Sequence, residues 1–268
     1  MEWTKEAEAA IKKVPFFVRK KVRARVVDDT RKAGRNRISL NDVRLSQKRY
    51  LSKMGEEIKG YQLETCFGAS GCPNPAVDSN QLLERLEEIL KRANFRGFLE
   101  DRVKGSLKHH HEFRVAVSDC PNACSQPQIK DIGIIGASEP VLTKEPCSLC
   151  RACEEACRED AVLLNESEEI PEIDFDHCIR CGRCIRVCPT GTIGMGLKGY
   201  RVMLGGKLGR HPRLAEEISG IYQADEVRDI LEKCIEFYKK NSAHGERFAE
   251  IFKGVDKLGI NGLSAKSS

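Results

Sequence analysis

Residues 112–126 read EFRVAVSDCPNACSQ. Phe113, Val115 and Val117 alternate with Arg114, Ala116 and Ser118, the period-two pattern of a strand with one buried face. The strand then runs into Cys120-Pro-Asn-Ala-Cys124, where proline and asparagine favour a tight turn. Two cysteines in a turn directly after a strand raise the question of what they hold. It is sharpened by the rest of the chain, because 13 of the 268 residues are cysteine.

The N-terminus, MEWTKEAEAA, lacks both the basic start and the apolar run of a secretion signal. No apolar stretch approaches the length of a membrane span. A cytoplasmic protein with no membrane partner is therefore expected. In a reducing compartment so many thiols are expected to be ligands or catalysts rather than disulfides. A hydrophobic fraction of 40% supports a packed core, and the length allows one large domain or a few small ones.

On either side of the opening strand the pattern alternates. SNQLLERLEEILKR (79–92) predicts an amphipathic helix with Ser79 as cap and Leu82, Leu83, Leu86, Ile89 and Leu90 inward. Strands are expected at about 132–136 and 200–204. DEVRDILEKCIEFYKKN (225–241) places Val227, Ile230, Leu231, Cys234 and Tyr238 on one stripe, which makes Cys234 a core thiol. Mixed strands and helices predict an α+β fold. Residues 1–55 instead read as three short basic helices. Thr4 caps the first, which ends near Val14 before Pro15. The second runs to Ala33 with Val18, Val22 and Val26 on one face and Gly34 as its stop. The third opens at Ser39 or Asn41 and reaches about Lys53. Residues 1–60 carry 17 Lys/Arg against 8 Asp/Glu, so the basic charge lies at this end. No recognition-helix signature accompanies it, and nucleic acid is not an expected partner.

CSLCRACEEAC (147–157) and CIRCGRCIRVCP (178–189) are two copies of C-x2-C-x2-C-x3-C. Such a run places three thiolates around one iron–sulfur cube and sends the fourth to the other. Cys147, Cys150, Cys153 and Cys188 then hold one 4Fe-4S cluster, and Cys178, Cys181, Cys184 and Cys157 a second. The first copy has Arg158 where the second has Pro189. C-x2-C pairs also bind zinc, but two complete four-ligand halves, eight ligands in all, favour iron–sulfur. Residues 146–196 thus read as a ferredoxin domain inserted between two parts of another domain, 56–145 and 197–268, with 1–55 as a small helical domain. Cys66 and Cys72, in TCFGASGCPNP, join Cys120 and Cys124 as four further thiolates, enough for a third cluster.

That C-x5-C pair, followed about fifty residues later by C-P-N-x-C, resembles the signature of the sirohaem/4Fe-4S nitrite and sulfite reductases. GYRVMLGGKLGRHPRLA (199–215) is similar to the glycine-rich strand and loop of that family. The inserted ferredoxin resembles its anaerobic and dissimilatory members, and the resemblance covers about residues 60–255. It implies a 4Fe-4S cluster on Cys66, Cys72, Cys120 and Cys124, with Cys124 the catalytic residue as axial bridge to sirohaem iron. It implies that Asn122 and the Gly205–Gly206 backbone line the macrocycle. Sirohaem is rich in carboxylates, so Arg114, Lys207, Arg210 and Arg213 are expected to grip it, with His109, His110 and His111 as proton donors. The implied activity is six-electron reduction of sulfite, or alternatively nitrite, with electrons entering through the ferredoxin clusters from a donor protein.

The family usually carries a ferredoxin-like half-domain before the first cysteine pair. Residues 2–50, beginning EWTKEAEAAIKKVPFFVRKKVR, instead resemble the small C-terminal domain of the dark-operative protochlorophyllide reductase B subunit. A partner subunit or second copy is then expected to complete the pocket. The other implied role is an iron–sulfur electron-transfer or tetrapyrrole-binding subunit.

Overall fold

The computed structural model describes residues 1–258, and the last ten residues of the expected second domain, 259–268, lie outside the described residues. The chain forms two compact units, Met1–Ile58 with Val103–His110, and Lys59–Arg102 with the chain from His111 onward.

In the first unit, short strands β1 (Glu2–Trp3) and β2 (Arg37–Ile38) pair in parallel beside helices α1 (Lys5–Lys12), α2 (Phe16–Lys32) and α3 (Leu40–Glu56). Thr4 Oγ1 accepts the Ala7 amide at 3.3 Å, the expected cap, although α1 stops at Lys12, short of Val14. Ser39 caps α3, accepting the Asp42 amide at 3.4 Å while the Asp42 carboxylate takes both the amide and the hydroxyl of Ser39. Ala7, Ile11, Val26 and Ile38 form the core, with Trp3, Val22, Val27 and Val43 packed around them.

The second unit is built on a five-stranded sheet in the order β3-β4-β5-β8-β9: β3 (Tyr61–Thr65), β4 (Phe113–Ser118), β5 (Ile132–Leu142), β8 (Ile193–Leu204) and β9 (Glu216–Tyr222). The first three run parallel and the last two antiparallel to their neighbours. After β3 come α4 (Gly68–Gly71), α5 (Asn80–Arg92) and α6 (Phe95–Glu100); α9 (Ala224–Asn241) and α10 (Phe248–Ile251) follow β9. Leu82, Leu86, Ile89 and Leu90 of α5 are buried, as are Val227, Ile230, Leu231, Cys234 and Tyr238 of α9. Phe95 stacks on Phe113 at 4.9 Å, and Phe113 on Tyr238 at 5.5 Å, so aromatic rings join the helices to β4.

The expected cap at Ser79 is realised differently. Asp78 accepts the Asn80 amide at 3.0 Å, while the Ser79 hydroxyl is turned to the buried carboxylate of Asp119. A second departure is the length of β5, which continues to Leu142 and pairs with β8 down to Leu142–Ile193. Between these two strand ends the chain inserts α7 (Ala152–Ala156), the hairpin β6 (Val162–Asn165) and β7 (Ile170–Ile173), and α8 (Arg183–Val187).

Candidate metal centres

All twelve paired cysteines are free thiols, and they gather in three sets. Cys66 follows β3 and Cys120 follows β4, so parallel pairing of these strands brings both to one end of the sheet. The Cys66 amide donates to the Val117 carbonyl at 3.2 Å across that end. Cys66 Sγ accepts the amides of Gly68 and Asp119, each at 3.4 Å. The turn 120–124 is closed by Ala123 in the left-handed region (φ 54°) and by Ser125, whose hydroxyl donates to the Val117 carbonyl at 2.8 Å. The Asp119 carbonyl receives the amides of Ala76 and Val77, tying the second cysteine turn to the chain after Cys72. Gly136 permits that approach: a Cβ there would stand 2.5 Å from the Asp119 carbonyl oxygen. Burial pushes the Cys120 thiol above its ordinary range, and negative charge on Cys72, Cys124 and Cys66 adds to it. The four thiols therefore stand as one group.

The two copies in the insert share one backbone course. The residues two and four positions after the first cysteine are left-handed in both: Leu149 (58°) and Arg151 (59°), then Arg180 (58°) and Gly182 (69°). A five-residue helix follows each, α7 and α8. The thiols of the two copies are neighbours of one another. Cys153 is raised chiefly by burial, with Cys188 and Cys147 contributing. Cys184 is pushed up to about 12 by burial, then by Cys178, Cys181 and Cys157. The fourth thiol of each copy thus belongs with the other copy. Among the described residues no three His, Cys, Asp or Glu side chains converge closely enough for a single metal ion.

The insert rests on the sheet through its second copy. The Ser138 amide donates to the Arg180 carbonyl at 2.8 Å, and Arg180 Nε to Glu139 at 2.7 Å. A Cβ on Gly182 would meet Ser138 Cβ at 2.8 Å. This seating creates a cavity of about 490 Å³ shared by two thiol sets: Cys66, Cys72, Cys120 and Cys124 on one side, Cys157, Cys178 and Cys181 on the other. The remaining set, Cys147, Cys150, Cys153 and Cys188, lies outside it. Cys124 is the exposed thiol of its set, and Asn122 Nδ2 donates to its sulfur at 3.0 Å. Phe67, 81% exposed, also lines the cavity. Four converging thiols with an open cavity between the sets suit a body larger than an ion, and an iron–sulfur cube with thiolate ligands fits this donor chemistry.

Of the other expected residues, Arg114, Gly205, Gly206, Lys207 and Arg210 lie toward the opposite end of the sheet. Arg114 is the second residue of β4, and its amide donates to the buried Asp131 carboxylate at 2.9 Å. His109, His110 and His111 form a turn just before β4. Gly205, Gly206, Lys207 and Arg210 follow β8, where Lys207 and Arg213 exchange backbone hydrogen bonds. From the Ser118–Ile135–Arg201 row to the Val115–Ile132–Leu204 row is three residues, about 10 Å along the strands. Of these residues, Lys207 is half-buried and Arg210 exposed. The guanidinium of Arg213 is spent on the carbonyls of Gly205 (2.8 Å) and Ala249 (2.7 Å). Gly206 abuts protein, since a Cβ would stand 2.5 Å from the Gln128 carbonyl oxygen. Phe67, Arg158, Arg183 and Arg186 line the cavity and carried no assigned role from the sequence; only the Arg158-for-proline exchange marked one of them.

Residues 60–266 match the family described as Nitrite and sulphite reductase 4Fe-4S domain, and residues 3–45 the family described as Proto-chlorophyllide reductase 57 kD subunit. The chain is similar to a Coenzyme F420-dependent sulfite reductase of Methanocaldococcus jannaschii, 30% identical over 196 residues, which are 71% of this chain and 28% of that protein. It is 24% identical over 175 residues to a dissimilatory-type sulfite reductase subunit beta of Archaeoglobus fulgidus, covering 60% of this chain and 44% of that one. With one subunit of the anaerobic sulfite reductase of Salmonella typhimurium it shares 27% identity over 105 residues, 39% of this chain and 26% of that protein. The chain thus spans less than half the length of each of these relatives. Its fold is similar to a crystal structure of dissimilatory sulfite reductase I, with a TM-score of 0.52 and 18% identity, covering 82% of this chain and 58% of that one.

Proposed function

The chain belongs to the nitrite and sulphite reductase 4Fe-4S domain family, and from that premise we infer that it serves the six-electron reduction of sulfite to sulfide, with nitrite as the alternative to sulfite. The observation that carries this reading is the cavity shared by the Cys66/Cys72/Cys120/Cys124 set and the inner ferredoxin set. A redox group held by the first set adjoins one held by the second. The outer set, with its exposed Cys150, is where an electron-donor protein would deliver.

In this reading the chain supplies ligands and an oriented environment for three 4Fe-4S clusters and a sirohaem. Sirohaem, when bound, supplies the metal at which the oxyanion is reduced. Cys124 is the thiol with an open face, and the Asn122 amide fixes its orientation. The Phe67 ring offers an apolar surface beside it. Lys207 and Arg210 provide cations for carboxylates, with Arg114, Gly205 and Gly206 at the same end of the sheet.

A second reading is an iron–sulfur or tetrapyrrole-binding subunit that acts only with a partner chain. It is favoured by the small share of its relatives that this chain spans, and by two relatives being subunits. Protein purified without oxygen and assayed with reduced methyl viologen separates the two. Sirohaem bands with turnover of sulfite are expected. Sirohaem bands or cluster absorbance without turnover of sulfite or nitrite would reject the enzyme reading in favour of the partner-dependent one.

A further inference from the structure

The basic lining of the shared cavity is not accounted for by ligation. The insert, residues 146–196, contains five arginines. Two are neutralised by carboxylates: Arg151 pairs with Glu154 at 3.3 Å and with Glu166, and Arg180 pairs with Glu139 at 2.7 Å. Arg158, Arg183 and Arg186 make no ion pair among the described residues, and these three line the cavity. Arg186 Nη1 donates to the Pro75 carbonyl at 3.3 Å, a contact that seats the insert. Arg158 and Arg183 have no such anchoring bond among the described residues. The cavity's carboxylates are Asp119, buried and bonded by Ser79, and Glu159, which is exposed.

A cube held by four thiolates is a net anion, and reduction adds negative charge to it. Its potential therefore rises with nearby positive charge and falls with exclusion of water. Unpaired guanidinium groups face the inner and third thiol sets, whereas the arginine beside the outer set, Arg151, is already paired.

Building on the three-cluster reading above, we propose that Arg158 and Arg183 are potential-setting residues: they stabilise the reduced forms of the two cavity clusters relative to the outer cluster. Neither is a ligand. Their effect is a bias that makes the cavity the favoured resting place for an electron delivered at the outer set.

The test is a redox titration of the anaerobically purified holoprotein followed by electron paramagnetic resonance, with iron measured on the same samples. In Arg158→Gln and Arg183→Gln, the reduced-to-oxidised ratio of the cavity clusters at a fixed potential should fall at least threefold. At 59 mV per decade for one electron, that is about 28 mV. The outer cluster should stay at its wild-type potential. Arg158→Lys should restore the cavity values, and Arg151→Gln should leave them unmoved. Should Arg183→Gln fail to retain iron, Arg158→Gln decides alone, because that side chain is exposed. Unchanged cavity potentials in a fully loaded Arg158→Gln, or an equal shift at all three clusters, would overturn the inference and leave the three-cluster reading standing. A wild-type protein with only two clusters would overturn both.

Discussion

Cys124 and Cys66 sit in the same thiol set but in different surroundings. Cys66 accepts two backbone amides, while Cys124 is exposed and accepts the Asn122 side chain. Replacing either with serine should remove the same cluster. Only Cys124→Ser should also shift the visible bands and spin coupling of bound sirohaem, because only that sulfur has an open face. Identical spectra from the two variants, with haem still bound and coupled, would exclude Cys124 as the bridge. Cys234 is the contrasting case, wholly buried on α9 with its thiol pushed upward by burial. Cys234→Ala should lose about 1 kcal/mol of stability through the small void it leaves, with iron content unchanged. A loss of iron there would show it to be a ligand. The cysteine motifs were legible because their spacing is local along the chain. The unpaired state of Arg158 and Arg183 was not, since it depends on where carboxylates such as Glu139, on a distant strand, come to lie.

At the scale of elements, the Ser39–Asp42 cap gives the first unit a pH dependence. Burial pushes the Asp42 carboxyl up, but the Ser39 hydroxyl and amide and the Arg35 charge outweigh it, so its value is lowered. A lowered carboxylate stabilises the fold fully above the unfolded value, about 4, and that contribution is lost as pH falls through the folded value. Asp42→Asn should cost about 1 kcal/mol at neutral pH, and the gap from wild type should close below about pH 4. Trp3, the sole tryptophan, packs on this core and reports the transition by fluorescence. A gap that does not narrow as pH falls below about 4 would contradict the assignment. Gly182 is the second test, because alanine there meets both a left-handed backbone and the Ser138 side chain. Gly182→Ala should lower the melting temperature and disturb the inner cluster's resonance before the outer one. An unaltered inner signal would show that this seat does not position the insert. Strand β4 was visible from alternation, and of β8 only its end, 200–204, was expected. Strands β3 and β9 were not, because YQLET is short and EEISGIY is largely polar with an internal glycine. The second half of β5 was hidden by Pro140 and Glu139, which read as loop yet pair with β8 or hold the insert.

For the whole molecule, three four-iron clusters require about twelve irons per chain, and sirohaem brings one more. Iron and zinc measured on anaerobically purified protein should give that total with negligible zinc; about eight irons would mean that the Cys66/Cys72/Cys120/Cys124 set holds no cluster. Among the described residues no helix is long and apolar enough to cross a membrane. The doubled cysteine run was legible because a repeat leaves a mark in the sequence. The shared cavity was not, because it arises from tertiary seating through Ser138, Gly182 and Arg186. The ribbon of β5 and β8 carries a further consequence. Leu142 and Ile193 are direct antiparallel partners, so their Cα atoms are about 5 Å apart, close enough for a two-residue turn. The insert is therefore a cassette on a hairpin. A shortened chain joining these two positions has a ready geometric solution, and so does a foreign redox module whose own termini lie side by side. Closure at the hairpin would not by itself aim such a graft. The aim comes from further down the ribbon, so a transplanted module must bring its own counterpart to the glycine that nests against Ser138.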